Sequence, residues 1–385
     1  MRWLLPKGWA AKLMFAAVAF GLLIAAAASF YRPVVAETVD SERHRFKIVT
    51  LADNLEHPWG MAFLPDGSLL VTERPGRLRI IRSGEAPLTV SGVPEVVEAG
   101  QGGMLDVALH PDFAENRLVY LSYAGAGDGG VGTEVARGRL EGDRLVGLET
   151  IFVAQPKSRG GRHFGSRLLF DDDGLLYVTL GERGDSERAQ NLNDHGGTVI
   201  RLTPDGKIPA DNPFVGRDDA RPEVFSWGHR NPQGLALQPG TGRVWAVEHG
   251  PRGGDELNII EPGANYGWPI ITYGRSYAGF SIGEGTSKPG LAQPVTYWVP
   301  SISPSGLSFY NGDAFPQWRG NLFTGGLSAQ ALTRIELQGT DVVHQERLLV
   351  DYGERIRDVR QGPEGFLYLL IDQEDGALLR LEPVS

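Results

Sequence analysis

The chain has 385 residues and a formal charge of −10, with 41% hydrophobic and 22% charged residues, 52 Gly, 25 Pro and no Cys. That composition belongs to a turn-rich globular protein, and it excludes a disordered chain, a helical bundle and a collagen-like fibre. Without cysteine there is no disulfide scaffold, no thiolate zinc or iron–sulfur site and no cysteine nucleophile.

At the N-terminus, Arg2, Lys7 and Lys12 precede an apolar run from Leu13 to Ala28, and small residues lead to Val34-Val35-Ala36 before Glu37. A basic start, a short apolar stretch and small residues before the break make residues 1–36 an export signal peptide. The run with its flanks is also nearly long enough for an N-terminal membrane anchor. Both readings place the body outside the cytoplasm, in the periplasm or otherwise exported. Residues 1–36 carry four basic residues and no acid, so the mature body has a charge of −14. Such a body does not bind nucleic acid or anionic membrane non-specifically and has no stable membrane insertion of its own. It does favour divalent cations.

Beyond residue 40 one unit recurs: an apolar alternation, a turn with Pro, Asp or Gly, then a second apolar run. It occurs at Gly60–Gly67 with Leu69–Thr72, at Leu105–Phe113 with Leu118–Tyr123, and at Ser166–Gly174 with Leu175–Leu180. It occurs again at Gly234–Gly242 with Arg243–Val247, at Gly306–Asp313 with Asn321–Gly325, and at Ile356–Gly365 with Phe366–Ile371. The turn markers Asp66, Asp112, Asp173, Gly240, Asp313 and Glu364 are separated by 46, 61, 67, 73 and 51 residues. A four-stranded propeller blade takes about 40–50 residues. The spacing therefore predicts an all-β fold, a six-bladed β-propeller with inserted top-face loops, as one domain over 40–385. No amphipathic helix pattern separates the strands, which argues against an α/β barrel. A two-sheet sandwich would explain the strands but not six recurrences of one turn signature.

Most of the unusual stretches sit just before the first strand of a unit, where a propeller turns its top toward the channel. Gln101-Gly102-Gly103-Met104-Leu105 opens the second, Gly160-Gly161-Arg162-His163-Phe164-Gly165 the third, and Trp227-Gly228-His229-Arg230-Asn231-Pro232-Gln233-Gly234 the fourth. Glu248-His249-Gly250-Pro251-Arg252-Gly253-Gly254-Asp255-Glu256 and Asn265-Tyr266-Gly267-Trp268-Pro269 follow, and Glu354-Arg355-Ile356-Arg357-Asp358 opens the last. Each residue also has a plain structural reading. His163 could be a surface histidine, and Arg230 with Asn231 could cap a turn. Arg355 and Arg357 share one strand face, as a solvated edge or as a bidentate anion site. Asp255 and Glu256 could be surface acids or ligands for a hard cation such as calcium. Asp171-Asp172-Asp173-Gly174 reads as a hairpin turn, because the EF-hand spacing and its terminal Glu are missing. No dinucleotide fingerprint, P-loop or His-Glu-x-x-His is present, and Gly306 lacks the leading Gly of a nucleophile elbow.

Taken together, these blocks resemble the soluble PQQ-dependent glucose/sorbosone dehydrogenases, nearest to the periplasmic aldose sugar dehydrogenases. The resemblance covers about residues 45–383. It implies a six-bladed propeller that holds pyrroloquinoline quinone (PQQ), a flat tricarboxylate o-quinone, with a calcium ion over the channel. It implies that His163 is the catalytic base, that Gln101 contacts the cofactor, and that Arg230 and Asn231 sit at its quinone oxygen and carboxylates. Arg355 and Arg357 would clamp carboxylates, and Gly250 and Pro251 would offer carbonyls to the cofactor-bound calcium. Glu256, the Tyr266 carbonyl and Asp255 would form a second calcium site. The cofactor loop Gly326-Leu327-Ser328 has Ser328 where many members carry a Lys.

The implied reaction is oxidation of an aldose at its C1 hydroxyl to the lactone, with electrons passed to an external acceptor that the sequence does not identify. Neutral His suits the proton, since its pKa lies near working pH. A calcium ion and Arg230 suit charge developing on oxygen. Two other readings fit the same fold: a calcium-dependent propeller lactonase, and a non-enzymatic ligand-binding propeller. The expected partner is a small-molecule sugar, with insertions such as Gly274–Lys288 setting specificity. A monomer and a homodimer are both compatible with the resemblance.

Overall fold

A computed structural model describes residues 35–384. Residues 1–36, expected to be an export signal, fall outside these residues except for Val35 and Ala36, which open the outermost strand, Val35–Asp40. Short apolar runs closed by tight turns become antiparallel hairpins, and these assemble into six sheets of four or five strands. The first five blades are each four consecutive strands. Their innermost strands are Pro58–Phe63, Met104–Leu109, Leu168–Phe170, Pro232–Leu237 and Pro304–Phe309, and Ile356–Gln361 is the innermost strand of the sixth. Each innermost strand touches that of the next blade, and Ile356–Gln361 meets Pro58–Phe63 to close the ring.

Strand pairing between distant parts of the chain reinforces this closure. The sixth blade takes Ile356–Gln361, Leu367–Ile371 and Gly376–Pro383 from the C-terminus and Arg45–Leu55 from the N-terminus. Phe46 faces Pro383 and Leu55 faces Gly376 across that last pairing. Joining the two ends of the chain in one sheet leaves the ring without an open edge, the usual liability of an all-β fold.

The second strand of five blades is buried along its whole length, as at Leu176–Leu180 and Leu367–Ile371, because neighbouring blades cover both faces. Six apolar clusters fill the six gaps between adjacent blades. Leu369, fully buried between blades five and six, is representative: truncation to Ala would cost about 2–5 kcal/mol. The Asp171–Gly174 segment is the hairpin turn expected. Asp171 Oδ1 accepts the N–H groups of Asp173 and Leu175 at 3.1 and 2.8 Å, with Gly174 at φ 76°.

The channel is plugged by charge rather than by apolar side chains. Arg167 is fully buried and lies 3.3 Å from Asp106 and 3.1 Å from Asp358. Its Nε donates to the Gln233 carbonyl at 2.6 Å and its Nη2 to the Arg357 carbonyl at 3.0 Å. Arg360 adds a bond to Asp358 at 3.2 Å. Gly60 and Gly306 make room for the acids: a Cβ there would lie 2.4 Å from an Asp106 oxygen and 2.6 Å from an Asp358 oxygen. This plug ties blades two, three, four and six together and forms the floor on which the site is built. Among the described residues no helix is long and apolar enough to cross a membrane.

Candidate active site

The corners that precede the first strands converge above this floor on a cavity of about 270 Å³. Nine residues expected from the sequence line it: Gln101, His163, Arg230, Asn231, Gly250, Pro251, Leu327, Arg355 and Arg357. They come from blades two to six, so residues more than two hundred positions apart meet because the ring closes.

His163 is held on all sides. Its backbone sits at φ 55°, a left-handed conformation that a histidine adopts at some cost, and its N–H donates to Gln101 Oε1 at 2.7 Å. Gly181 lies so close behind it that a Cβ there would be 2.3 Å from the His163 carbonyl. The ring nitrogen Nδ1 is 2.6 Å from Glu182 Oε2. A carboxylate only accepts, so Nδ1 carries the proton and Nε2 keeps its lone pair. Burial lowers the His163 pKa, and the Glu182 hydrogen bond only partly opposes it. Burial alone would raise Glu182, but the hydrogen bonds from His163 and the Gly184 N–H outweigh that and hold it ionised. The pair is therefore a neutral imidazole backed by a carboxylate.

Arg230 is buried and stretches across the cavity wall. Its Nη1 donates to the carbonyls of His249 and Gly250 at 3.1 and 2.7 Å, and its N–H to Glu248 at 2.8 Å. Asn231 Oδ1 accepts the Gly165 N–H at 3.1 Å. His249 donates Nε2 to the Pro304 carbonyl at 2.9 Å, and burial with the Arg230 and Arg357 charges brings it down to about 3. It is neutral. On the opposite wall, Asp372 accepts Arg357 at 2.6 Å, Arg355 at 3.4 Å and His57 Nδ1 at 2.9 Å. Burial would raise the Asp372 carboxyl, but Arg357 beside it holds it far below the carboxylate range. Arg357 also reaches Gln233 Oε1 at 3.0 Å, while its Nε is buried without a partner.

The charge balance of the lining is distinctive in a protein of net charge −10. Arg74, Arg230, Arg355 and Arg357 face the cavity against the single carboxylate of Asp372, a surplus of three positive charges. Such a surplus in a half-enclosed space calls for an anionic occupant.

A smaller pocket adjoins it and shares Arg230, His249 and Gly250. Here Glu248 and Glu256 come together, both hydrogen-bonded by Asn258 Nδ2 at 3.0 and 3.2 Å. Burial, with Glu248 alongside, raises the Glu256 carboxyl to about 8. Asn258 Oδ1 is buried without a partner. Tyr266 stacks on His229 with centroids 4.4 Å apart, and its hydroxyl is committed to Ile259, so only its carbonyl remains to offer.

Three expected residues stand elsewhere. Asp255 faces away from Glu256, as strand neighbours must. Its carboxylate accepts the Gly250 N–H at 2.8 Å, Ser301 Oγ at 2.7 Å and the Ile302 and Ser303 N–H groups at 2.7 and 2.9 Å. It fixes the Gly250 loop to the 301–303 segment and does not share a cluster with Glu256. Gly326 ends a buried strand, and only Leu327 of its loop lines the cavity. Ser328 is exposed and donates to the Ser301 carbonyl at 3.1 Å. Among the described residues no three His, Asp or Glu side chains are arranged to hold a metal ion.

Sequence reasoning missed Glu182, Asp372, Trp59, Arg74 and Tyr277. A signal for two of them exists. Glu73, Glu182, Glu248 and Asp372 each stand at or just past the end of a blade's second strand, which runs back toward the cavity. Each holds a cation or histidine: Arg77 at 2.8 Å, His163 at 2.6 Å, His229 at 2.9 Å and Arg357 at 2.6 Å.

A family model described as glucose/sorbosone dehydrogenase matches residues 55–380. The chain is 48% identical to the aldose sugar dehydrogenase YliI of Escherichia coli K12 over 345 residues, covering 87% of this chain and 92% of that one. A crystal structure of a glucose dehydrogenase superposes with a TM-score of 0.86 at 52% identity, covering 88% of this chain and 99% of that one. The PQQ-bound form of an aldose sugar dehydrogenase from Streptomyces coelicolor superposes with a TM-score of 0.74 at 31% identity, covering 91% and 98%.

Proposed function

The chain belongs to the glucose/sorbosone dehydrogenase family, and from that premise we propose that it is an exported quinoprotein that oxidises aldoses at C1 with PQQ and calcium. The observation that carries the reading is the surplus of three positive charges in the cavity, which matches a tricarboxylate. Arg355 and Arg357 would hold its carboxylates, with Gln101 and Asn231 as polar contacts, and the buried Arg357 Nε is a donor still in want of an acceptor. The Gly250 and Pro251 carbonyls would hold the calcium ion beside it. Glu256 and the Tyr266 carbonyl would hold a second calcium, where the buried Glu248 and Glu256 carboxyl groups lie side by side, both bonded by Asn258.

When bound, PQQ supplies the hydride acceptor and its calcium a Lewis acid. The protein supplies the proton chemistry. His163 Nε2 takes the C1 hydroxyl proton, and Glu182 stabilises the imidazolium that results. Arg230, fixed by two backbone carbonyls, points a preorganised charge at developing negative charge. Arg74 supplies a cation to the wall, where Ser328 offers none. A lactonase reading would leave the arginine surplus without a ligand.

The test is an absorbance titration of the purified chain with PQQ in calcium, followed by glucose under anaerobic conditions. Saturable binding and bleaching of the quinone band by sugar are expected. Binding without bleaching refutes the substrate, and no binding refutes the cofactor.

A further inference from the structure

We propose that Arg183 is a positioning residue for the base: it fixes the peptide plane that sets the left-handed backbone of His163 and so aims the imidazole into the cavity. The proposal rests on the reading above for the reaction and on geometry alone for the positioning. Arg183 lies behind the cavity lining and follows Glu182 in sequence. One segment thus grips His163 twice, Glu182 by its ring and Arg183 by its backbone.

Changing φ at His163 turns the Arg162–His163 peptide, the planar unit just before its Cα. Both ends of that peptide are held. Gln101 Oε1 accepts the His163 N–H at 2.7 Å, and Arg183 Nη1 donates to the Arg162 carbonyl. Arg183 Nη2 donates to the Gly160 carbonyl at 2.6 Å, so one rigid fork sets two carbonyls of the loop at a fixed spacing. The guanidinium also lies 3.5 Å from the ring centroid of Phe164, the residue on the other side of His163. A histidine at φ 55° persists only where its surroundings over-determine it, and these contacts do so on both flanks.

The residue type points the same way. Arg183 is only 8% exposed, and both its Nη groups go to backbone carbonyls rather than to a carboxylate. Burial and the neighbouring Arg188 charge bring it down to about 10, so it remains a cation at neutral pH. For stability alone an apolar side chain of similar volume would avoid the desolvation of that charge. What the guanidinium adds is geometry. A methionine could fill the space beside Phe164, but it would leave the Arg162 carbonyl with no donor to hold it. The surrounding backbone is shaped to the same contact. The Gly184 N–H donates to Glu182 Oε2, and a Cβ on Gly184 would lie 2.4 Å from Arg162 Nε. The 181–184 segment therefore packs directly on the loop that it positions.

The test compares the full-length wild type with Arg183→Met, which keeps bulk, and Arg183→Lys, which keeps charge and loses the fork. Without cofactor, NMR of protein carrying isotope-labelled histidine reads the His163 ring, identified by the signals lost in His163→Ala. The wild type shows one tautomer, with its proton on Nδ1. In Arg183→Met the two ring-nitrogen shifts move toward each other as the second tautomer becomes populated. With PQQ and calcium, kcat for glucose falls about 10²-fold in that variant, the effect of a misplaced group, while the PQQ midpoint is unchanged. Arg183→Lys falls between the two. A lowered Tm with wild-type ring shifts and wild-type kcat makes Arg183 a structural residue only and overturns the proposal. If Arg183→Met does not fold, Arg183→Lys decides: wild-type ring shifts and kcat there overturn it equally. If the wild type oxidises no aldose, the redox reading fails, and the ring shifts still decide the positioning.

Discussion

Replacing Glu182 by Gln tests the base most sharply, because it keeps shape and removes one charge. In the native site the carboxylate can only accept from His163 Nδ1, 2.6 Å away, so the Nε2 lone pair is guaranteed. A Gln amide can turn either its oxygen or its NH₂ toward Nδ1, and the second orientation moves the ring proton to Nε2, where the base is needed. It also loses the charge that stabilises the imidazolium. Loss of an outer-shell partner typically costs about 10- to 100-fold. Where it also frees the wrong tautomer, the loss reaches about 10⁴ in kcat, as known from serine proteases. We expect a fall in kcat between these limits, with the PQQ midpoint unchanged. The pH profile supplies the second readout. His163 works only when neutral, so activity falls as pH drops through its pKa, which burial has already lowered from 6.5. Glu182 is the main opposing influence, so its removal leaves burial less opposed and moves the acid limb to lower pH. Steady-state dye reduction across pH, on PQQ-saturated protein, reads both. An unchanged plateau, or an acid limb displaced upward, refutes the assignment of His163 as base and Glu182 as its orienter.

Other substitutions separate holding from chemistry. His163→Ala retains PQQ in a titration and loses about 10²–10⁴ in turnover, the worth of a general base; unchanged turnover removes it from the mechanism. Arg355→Ala raises the PQQ concentration needed for half-reconstitution more than it slows saturated enzyme, since Arg355 is one of two guanidinium groups sharing Asp372; an unmoved midpoint contradicts the clamp. Glu256 stays protonated up to about 8, so calcium must displace a proton there. The rise in Tm on adding calcium should therefore grow between about pH 6 and about pH 9 and shrink in Glu256→Gln; a rise that does not depend on pH argues against that ligand. Arg167→Met leaves Asp106 and Asp358 buried with one cation fewer and should cost about 3–5 kcal/mol in denaturant unfolding, as breaking a buried ion pair does. A neutral result means the channel plug is dispensable.

The six blades were legible because each first hairpin repeats one turn signature, and all six hairpins form where the turns place them. The closing strand was not. Arg45–Leu55 is an apolar alternation with no repeat of its own, and its partner Gly376–Pro383 lies at the other end of the chain, a pairing that only ring geometry fixes. In the site, residues embedded in Gly- and Arg-rich runs stood out, and nine of them share the cavity. Isolated residues did not. Asp372 is a lone acid after a buried strand, and its role as partner to Arg355 and Arg357 exists only once the sixth blade folds back. Asp255 misled because adjacency in sequence puts strand neighbours on opposite faces, and its carboxylate is consumed by four hydrogen bonds within the protein.

By the function proposed above, this arginine-lined cavity serves PQQ and calcium in aldose oxidation. The most direct measurement is dye reduction with glucose by the chain from residue 37 onward, supplied with PQQ and calcium together, with each alone, and with neither. Turnover is expected only with both, with gluconolactone as product. Turnover without PQQ, or none with both present despite a saturable PQQ titration, contradicts it.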